Sequence, residues 1–124
     1  MSTAFRSYLS SPAGAPIKAI FVGTRRTDPH GGKLSAYDVT DRGWPDFMRV
    51  HPVLEWRYAE VWAFLRYLGV EYCGLYDEGY TSLGGTNDTQ PNPALRVVEE
   101  GGRVWYRPAY ELVEDEQERL GRDW

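Results

Sequence analysis

One cysteine, Cys73, in 124 residues leaves no partner for an internal disulfide and excludes a cysteine-rich metal centre. With Tyr72 and Leu75 beside it, Cys73 is expected as a small buried hydrophobe rather than a nucleophile. The two histidines, His30 and His51, have no ligand spacing with each other or with Cys73, which argues against zinc. No apolar run reaches membrane-spanning length and no signal-peptide core is visible, so a cytoplasmic protein with no membrane contact is the expectation. Basic residues are not in excess either: 14 Lys+Arg stand against 18 Asp+Glu, a formal charge of -4 and a pI near 5.2. A sequence-independent nucleic-acid binder needs a basic face that releases counterions, and this balance disfavours one. No internal repeat or low-complexity tract is present.

What is there points to a folded chain. Hydrophobic residues make up 42% and aromatics 15%, and the length suits one modest domain with a real core. The informative stretch is Gly23 to Trp56. It follows Ala19-Ile20-Phe21-Val22, a short apolar run that predicts a buried, central strand ended by Gly23. Arg25, Arg26 and Asp28 therefore sit just past a strand end, where open α/β sheets bind ligands. The stretch runs about 34 residues without a helical period, a length more usual in binding loops than in connections. An arginine cluster in an acidic chain fits a small anionic ligand.

Elsewhere the pattern is coarser. Residues 1–16 read as an arm, either frayed or carrying a short helix over Ala4 to Leu9. Met48 to Val50 predicts a short extended segment, since Pro52 pushes His51 out of helical geometry. Arg57 to Leu68 is the clearest helix: Tyr58, Val61, Trp62, Leu65 and Leu68 make one apolar face, with Gly69 as terminator. The Gly/Thr/Asn/Pro-rich loop from Gly79 to Pro93 is expected to be ordered only if something holds it. Leu95 to Val98 and Val104 to Tyr106 predict a hairpin about Glu99-Glu100-Gly101-Gly102. Pro108 opens a predicted final helix carrying Arg119 and Arg122 near its C-terminus.

Six ordered blocks now carry a family resemblance. They are Gly-Thr-Arg-Arg-Thr-Asp-Pro (23–29), Thr-Asp-Arg-Gly-Trp-Pro (40–45), Phe-Met-Arg-Val-His-Pro (47–52), Glu-Trp-Arg-Tyr-Ala-Glu-Val-Trp-Ala-Phe-Leu-Arg (55–66), Tyr-Cys-Gly-Leu-Tyr-Asp-Glu-Gly-Tyr-Thr-Ser-Leu-Gly (72–84) and Tyr-Arg-Pro-Ala-Tyr-Glu-Leu (106–112). The chain resembles eukaryotic FAD synthase, the PAPS-reductase-like FMN adenylyltransferase, over nearly everything after residue 18. The resemblance implies a Rossmann-like, three-layer α/β fold of the PAPS reductase-like and adenine nucleotide alpha hydrolase-like kind, with residues 17–124 as a single domain. It also implies the joining of FMN to the AMP moiety of ATP, with Mg²⁺, to give FAD and pyrophosphate.

Carried over, the blocks give Asp28 a place near the reacting phosphates and Arg25 and Arg26 a phosphate-binding role. Asp41 accepts hydrogen bonds from the isoalloxazine and Trp44 packs beside it, while Arg119 and Arg122 match a C-terminal pair that reaches phosphate. Two readings stay open for some of these. Arg25 and Arg26 taken alone are a solvated pair bridged to carboxylates, and Trp44 is equally a core aromatic pinned by Pro45. Asp28, Asp38 and Asp41 attract Mg²⁺ only with nucleotide phosphates as co-ligands.

The departures matter. The family's fold begins with a strand and an ATP-cradling Ser-Gly-Gly-Lys-Asp-Ser loop, which this sequence starts too late to contain. The fold is therefore expected to be N-terminally truncated. Gly31-Gly32-Lys33 echoes that loop but follows Pro29-His30 and is expected as a flexible loop. Glu55 stands where the family has aspartate, which is expected to loosen the helix start. Two functions follow: an FMN adenylyltransferase that does not complete the reaction alone, or a relative repurposed to bind flavin or nucleotide or to act on another small molecule. A second copy or partner chain is expected over the open sheet edge.

Overall fold

Three short strands and one helix make the first part of the chain. The computed structural model describes residues 2–122, and the chain divides into two compact units, Met1–Trp56 and Arg57–Trp124. In the first, α1 (Ser2–Leu9) precedes β1 (Ala19–Phe21), β2 (Tyr37–Val39) and β3 (Met48–Val50). Of the two readings of the arm, the helix is the one that forms.

The strand order is β1-β3-β2, with β1 parallel and β2 antiparallel to β3. The expectation of a central, buried strand at Ala19 to Val22 is therefore corrected: β1 is an edge among the described residues, and Phe21 is 79% exposed. An apolar run of four does not distinguish an edge from a centre. β3, called only as a short extended segment, takes the middle because it pairs on both sides. β2 was not foreseen, since it lies inside the stretch read as loop. It is pinned to β3 by buried His51, whose Nδ1 donates to the Ser35 carbonyl at 2.8 Å and lies 3.4 Å from Asp38 Oδ2.

The second unit is organised by α2 (Tyr58–Tyr67). Tyr58 and Trp62 are buried, Leu65 half-buried and Leu68 56% exposed, so the apolar face is one turn shorter than its sequence period. They pack with Leu95, Ala109 and Leu112, ringed by Tyr72, Tyr76 and Tyr110. Trp62 meets Tyr72 edge-on at 5.0 Å and Tyr76 at 5.2 Å, an arrangement aromatic quadrupoles favour. The helix closes as expected: Val70 N–H bonds the Leu65 carbonyl, Gly69 N–H bonds that of Arg66, and Gly69 has φ 63°. At its start Glu60 accepts from the Arg57 N–H at 2.6 Å, and Asp115, far along the chain, accepts from the Tyr58 N–H at 2.6 Å.

The hairpin forms as β4 (Arg96–Val98) and β5 (Val104–Tyr106), antiparallel. The final helix does not. Only single 3₁₀ turns appear at Ala109–Glu111 and Asp115–Gln117, separated by extended Leu112 and Glu114. The segment is a strap: Ala109 and Leu112 fill the core, the Ala109 carbonyl accepts from Tyr58 Oη at 2.7 Å, and Asp115 caps α2. A continuous helix would withdraw some of these groups. Cys73 is exposed, not buried, because its neighbours Tyr72 and Tyr76 take the core positions.

Candidate functional site

In the first unit, the chain leaves β2 at Val39 and turns through Thr40 to Pro45 before returning in β3. The turn is closed by Trp44 N–H to the Asp41 carbonyl at 3.2 Å and by Thr40 Oγ1 to the Pro45 carbonyl at 3.2 Å. A cavity of about 240 Å³ opens here, lined by Phe5, Thr40, Asp41, Trp44, Phe47 and Arg49. From α1, Phe5 packs at 6.0 Å from the Trp44 ring and 6.4 Å from Phe47, and the Arg6 guanidinium lies 5.0 Å over Trp44. One wall is thus aromatic. The other is charged: Arg49 donates to the Val39 carbonyl at 2.8 Å and sits 3.8 Å from Asp41, whose carboxylate is 81% exposed.

Arg49 Nε is buried and makes no hydrogen bond. A buried donor left unmade costs about 1–3 kcal/mol, so a movement of the Arg49 side chain that pairs it gains. The volume lies below the ~300–1,000 Å³ of sites enclosing a whole drug-sized ligand. It suits a flat ring with both hydrogen-bonding edges, the remainder of the ligand lying outside.

The Arg25–Asp28 turn is a second polar cluster of the same unit. Arg25 is buried, and its Nη2 meets Asp28 Oδ1 at 2.7 Å while its N–H meets Oδ2 at 2.8 Å. Arg26 is held by Glu55 through Nε at 3.0 and 3.1 Å and through Nη2, and by the Gly32 and Leu34 carbonyls at 3.2 and 3.1 Å. The Arg26 hydrogen bond holds the Glu55 carboxyl below its ordinary range, and the same bond raises Arg26. One expectation is corrected here: Glu55 braces Arg26 rather than the start of α2. The Gly31-Gly32-Lys33 stretch is a loop, with Gly31 buried against the Arg25 carbonyl and Gly32 and Lys33 exposed.

A family model described as the phosphoadenosine phosphosulfate reductase domain matches residues 10–91, more than half of the sequence. The chain belongs to this family. Within it, the chain is similar to a probable FAD synthase of Schizosaccharomyces pombe, 51% identical over 107 residues, covering 86% of this chain and 39% of the relative. It is also similar to the flavin adenine dinucleotide synthase of Saccharomyces cerevisiae, 45% identical over 96 residues, 77% of this chain and 31% of that protein. The crystal structure of Candida glabrata FMN adenylyltransferase in complex with FMN and the ATP analogue AMPCPP matches with a TM-score of 0.89 at 33% identity, over 98% of this chain and 55% of that one. The chain thus spans about half or less of the length of these relatives. The resemblance to FAD synthase and the PAPS-reductase-like α/β fold are borne out.

The structure brings Asp41 to Trp44 and Arg25 to Asp28. Arg119 and Arg122 belong to the second unit, both half-buried; Arg122 Nη2 meets Asp88 Oδ2 at 3.1 Å and its Nε the Asp88 carbonyl at 3.1 Å. Sequence reasoning missed Arg49, Phe5 and Phe47. Arg49 and Phe47 lay within a family block without an assigned role, and pairing of β3 with β2 was the signal that would have turned Arg49 toward Asp41. Phe5 had no signal at all. Among the described residues no three His, Cys, Asp or Glu side chains form a metal-holding group, and Asp28 gives both oxygens to Arg25, so these residues do not fit a protein-held Mg²⁺. No helix of the described residues is long and apolar enough to cross a membrane.

Proposed function

We propose that this chain is the flavin-holding part of an FMN adenylyltransferase, the activity in which an FMN phosphate oxygen attacks the α-phosphorus of ATP and pyrophosphate leaves. The observation that carries the reading is the Asp41–Trp44–Arg49 cavity, an aromatic wall beside a carboxylate and a guanidinium, in a chain whose relatives are named FAD synthases. Asp41 accepts a ring N–H, Trp44 covers a ring face, and the Arg49 guanidinium donates to a ring carbonyl. Arg25, Arg26, Arg119 and Arg122 are assigned to phosphate, with Asp28 beside the reacting groups, because phosphoryl transfer is mainly positioning and charge neutralisation by guanidinium forks. A phosphate at Arg26 must displace Glu55. Mg²⁺ would enter on the ATP phosphates.

Arg25 and Arg26 are already tied to Asp28 and Glu55, which supports a second reading in which these residues bind flavin or nucleotide without completing adenylyl transfer. A cytoplasmic setting, and a second copy or partner chain paired along β1, belong to the same proposal. Calorimetric titration with FMN, FAD and ATP separately, followed by chromatography of a reaction with FMN and ATP-Mg²⁺, tests it. Flavin is expected to bind without FAD forming at a useful rate. Robust FAD formation by protein free of contaminating synthase removes the second reading. A folded chain that ignores FMN and FAD at hundreds of micromolar removes both.

A further inference from the structure

The loop 79–93 is rich in Gly, Thr, Asn and Pro, yet two of its polar side chains are buried: Thr81 is 4% exposed and Asn92 is fully enclosed. A buried amide is costly unless its donors and acceptor are paired. Asn92 pairs them all. Its Nδ2 donates to Thr81 Oγ1 at 2.8 Å and to the Gln117 carbonyl at 2.7 Å, its Oδ1 accepts from the Ala94 N–H at 2.9 Å, and its own N–H donates to the Gly79 carbonyl at 2.8 Å. Thr81 extends the network by donating its hydroxyl proton to the Glu118 carbonyl at 2.5 Å. The side-chain bonds to Gln117 and Glu118 fix the main chain immediately before Arg119.

The same loop closes on Arg122. Gln90 N–H donates to the Gly121 carbonyl at 2.8 Å, and Asp88 takes Arg122 by both carbonyl and carboxylate. A Cβ on Gly84 would meet the Arg122 guanidinium, so a side chain there would push that guanidinium aside.

We propose that Asn92, acting with Thr81, is a positioning residue for the Arg119–Arg122 segment. It holds the carbonyls at 117 and 118 so that the two arginines are presented to phosphate in one geometry. The inference rests on the reading above that Arg119 and Arg122 meet phosphate, and it adds the groups that aim them. Asn92 itself touches no ligand in this scheme.

Two measurements on the full 124-residue chain test it: amide hydrogen exchange across 117–122, and titrations with FMN and with riboflavin, which lacks the phosphate. Asn92→Asp keeps the volume and the Ala94 cap but turns both Nδ2 donors into an acceptor facing oxygens. Thr81→Val removes the hydroxyl, and Thr81→Ser keeps it. Asn92→Asp and Thr81→Val are expected to speed exchange over 117–122 and to weaken FMN about tenfold, with riboflavin unchanged, while Thr81→Ser stays near wild type. If Asn92→Asp does not fold, Thr81→Val and Thr81→Ser carry the test. Faster exchange with an unchanged FMN-to-riboflavin ratio overturns the positioning role, and so does wild-type exchange in Thr81→Val. Arg119→Ala and Arg122→Ala serve as the reference. Should neither alter the ratio, the phosphate reading fails and the positioning role falls with it, and the exchange rates alone then report whether the network orders the segment.

Discussion

Trp44 and Trp62 show how differently the two units use one residue type. Trp62 sits in a closed core, 6% exposed, with three tyrosine rings against it and Tyr58 and Leu95 beneath. Trp44 stands half-buried at a gap that Phe5 and Phe47 flank without filling. The buried polar groups differ less. The second unit buries neutral Asn92 with every bond made but leaves Asp88 Oδ1 without one, and the first buries Arg25 against a carboxylate and leaves Arg49 Nε without a bond. An aromatic side chain becomes a wall instead of a core member when its neighbours cannot close over it.

The largest effect should come from breaking the closed side of the comparison. Trp62→Ala is expected to cost about 3–5 kcal/mol, a large part of a small protein's total, and to unfold the second unit in a melting experiment. Trp44→Ala should leave the melting midpoint nearly unchanged while weakening FMN by roughly thirtyfold through lost ring contact. Equal destabilisation by the two substitutions would make Trp44 a core residue and end the distinction.

Within the open side, Asp41→Ala is expected to weaken FMN and FAD by roughly thirtyfold, because a charged hydrogen bond lost on binding is worth about 2 kcal/mol. Arg49→Lys sharpens this, since lysine keeps the charge but has no Nε donor and no planar fork. A loss of about tenfold is expected, with the fold intact by circular dichroism. Arg103→Ala is the control: its side chain is 73% exposed and its ion pair with Glu99 is 3.8 Å long, so affinity should not move. Binding that survives Asp41→Ala would displace the site from this cavity even if the family assignment stands.

How much of this was legible beforehand follows from range. α2, its glycine terminator and the β4–β5 hairpin are written in local periodicity and turn residues, and they formed where expected. The final helix was misread because Pro108 and the acidic run looked like a helix start, while the deciding partners of that segment, Tyr58 and the core, lie some fifty residues earlier. β1 was misplaced for the same reason: a three-residue strand carries no mark of which side is paired. At the candidate site, Asp41 and Trp44 were reachable through a contiguous block. Phe5 and Arg49 depended on how α1 and β3 meet that block, which no spacing encodes.

The smallest expected effect concerns the Arg26–Glu55 pair, and it tests whether the first unit's arginine turn is held ready or merely neutralised. Arg26 holds the Glu55 carboxyl below its ordinary range. A carboxyl depressed in the folded state contributes stability above its unfolded pKa, and that contribution is lost as pH falls through the folded value. The pair is exposed, so the contribution is screened by salt and should shift the melting temperature only slightly. The readable quantity is the titration itself. Carbon-13 NMR of the Glu55 carboxyl is expected to give a midpoint below the ordinary value of ~4.3, and Arg26→Gln should return it there. Added pyrophosphate should raise the midpoint in the wild type if phosphate draws Arg26 away from Glu55, and should leave it unmoved in Arg26→Gln. A midpoint indifferent to pyrophosphate at saturating FMN would mean that Glu55 keeps Arg26 for the fold, and Arg26 would then leave the list of phosphate ligands.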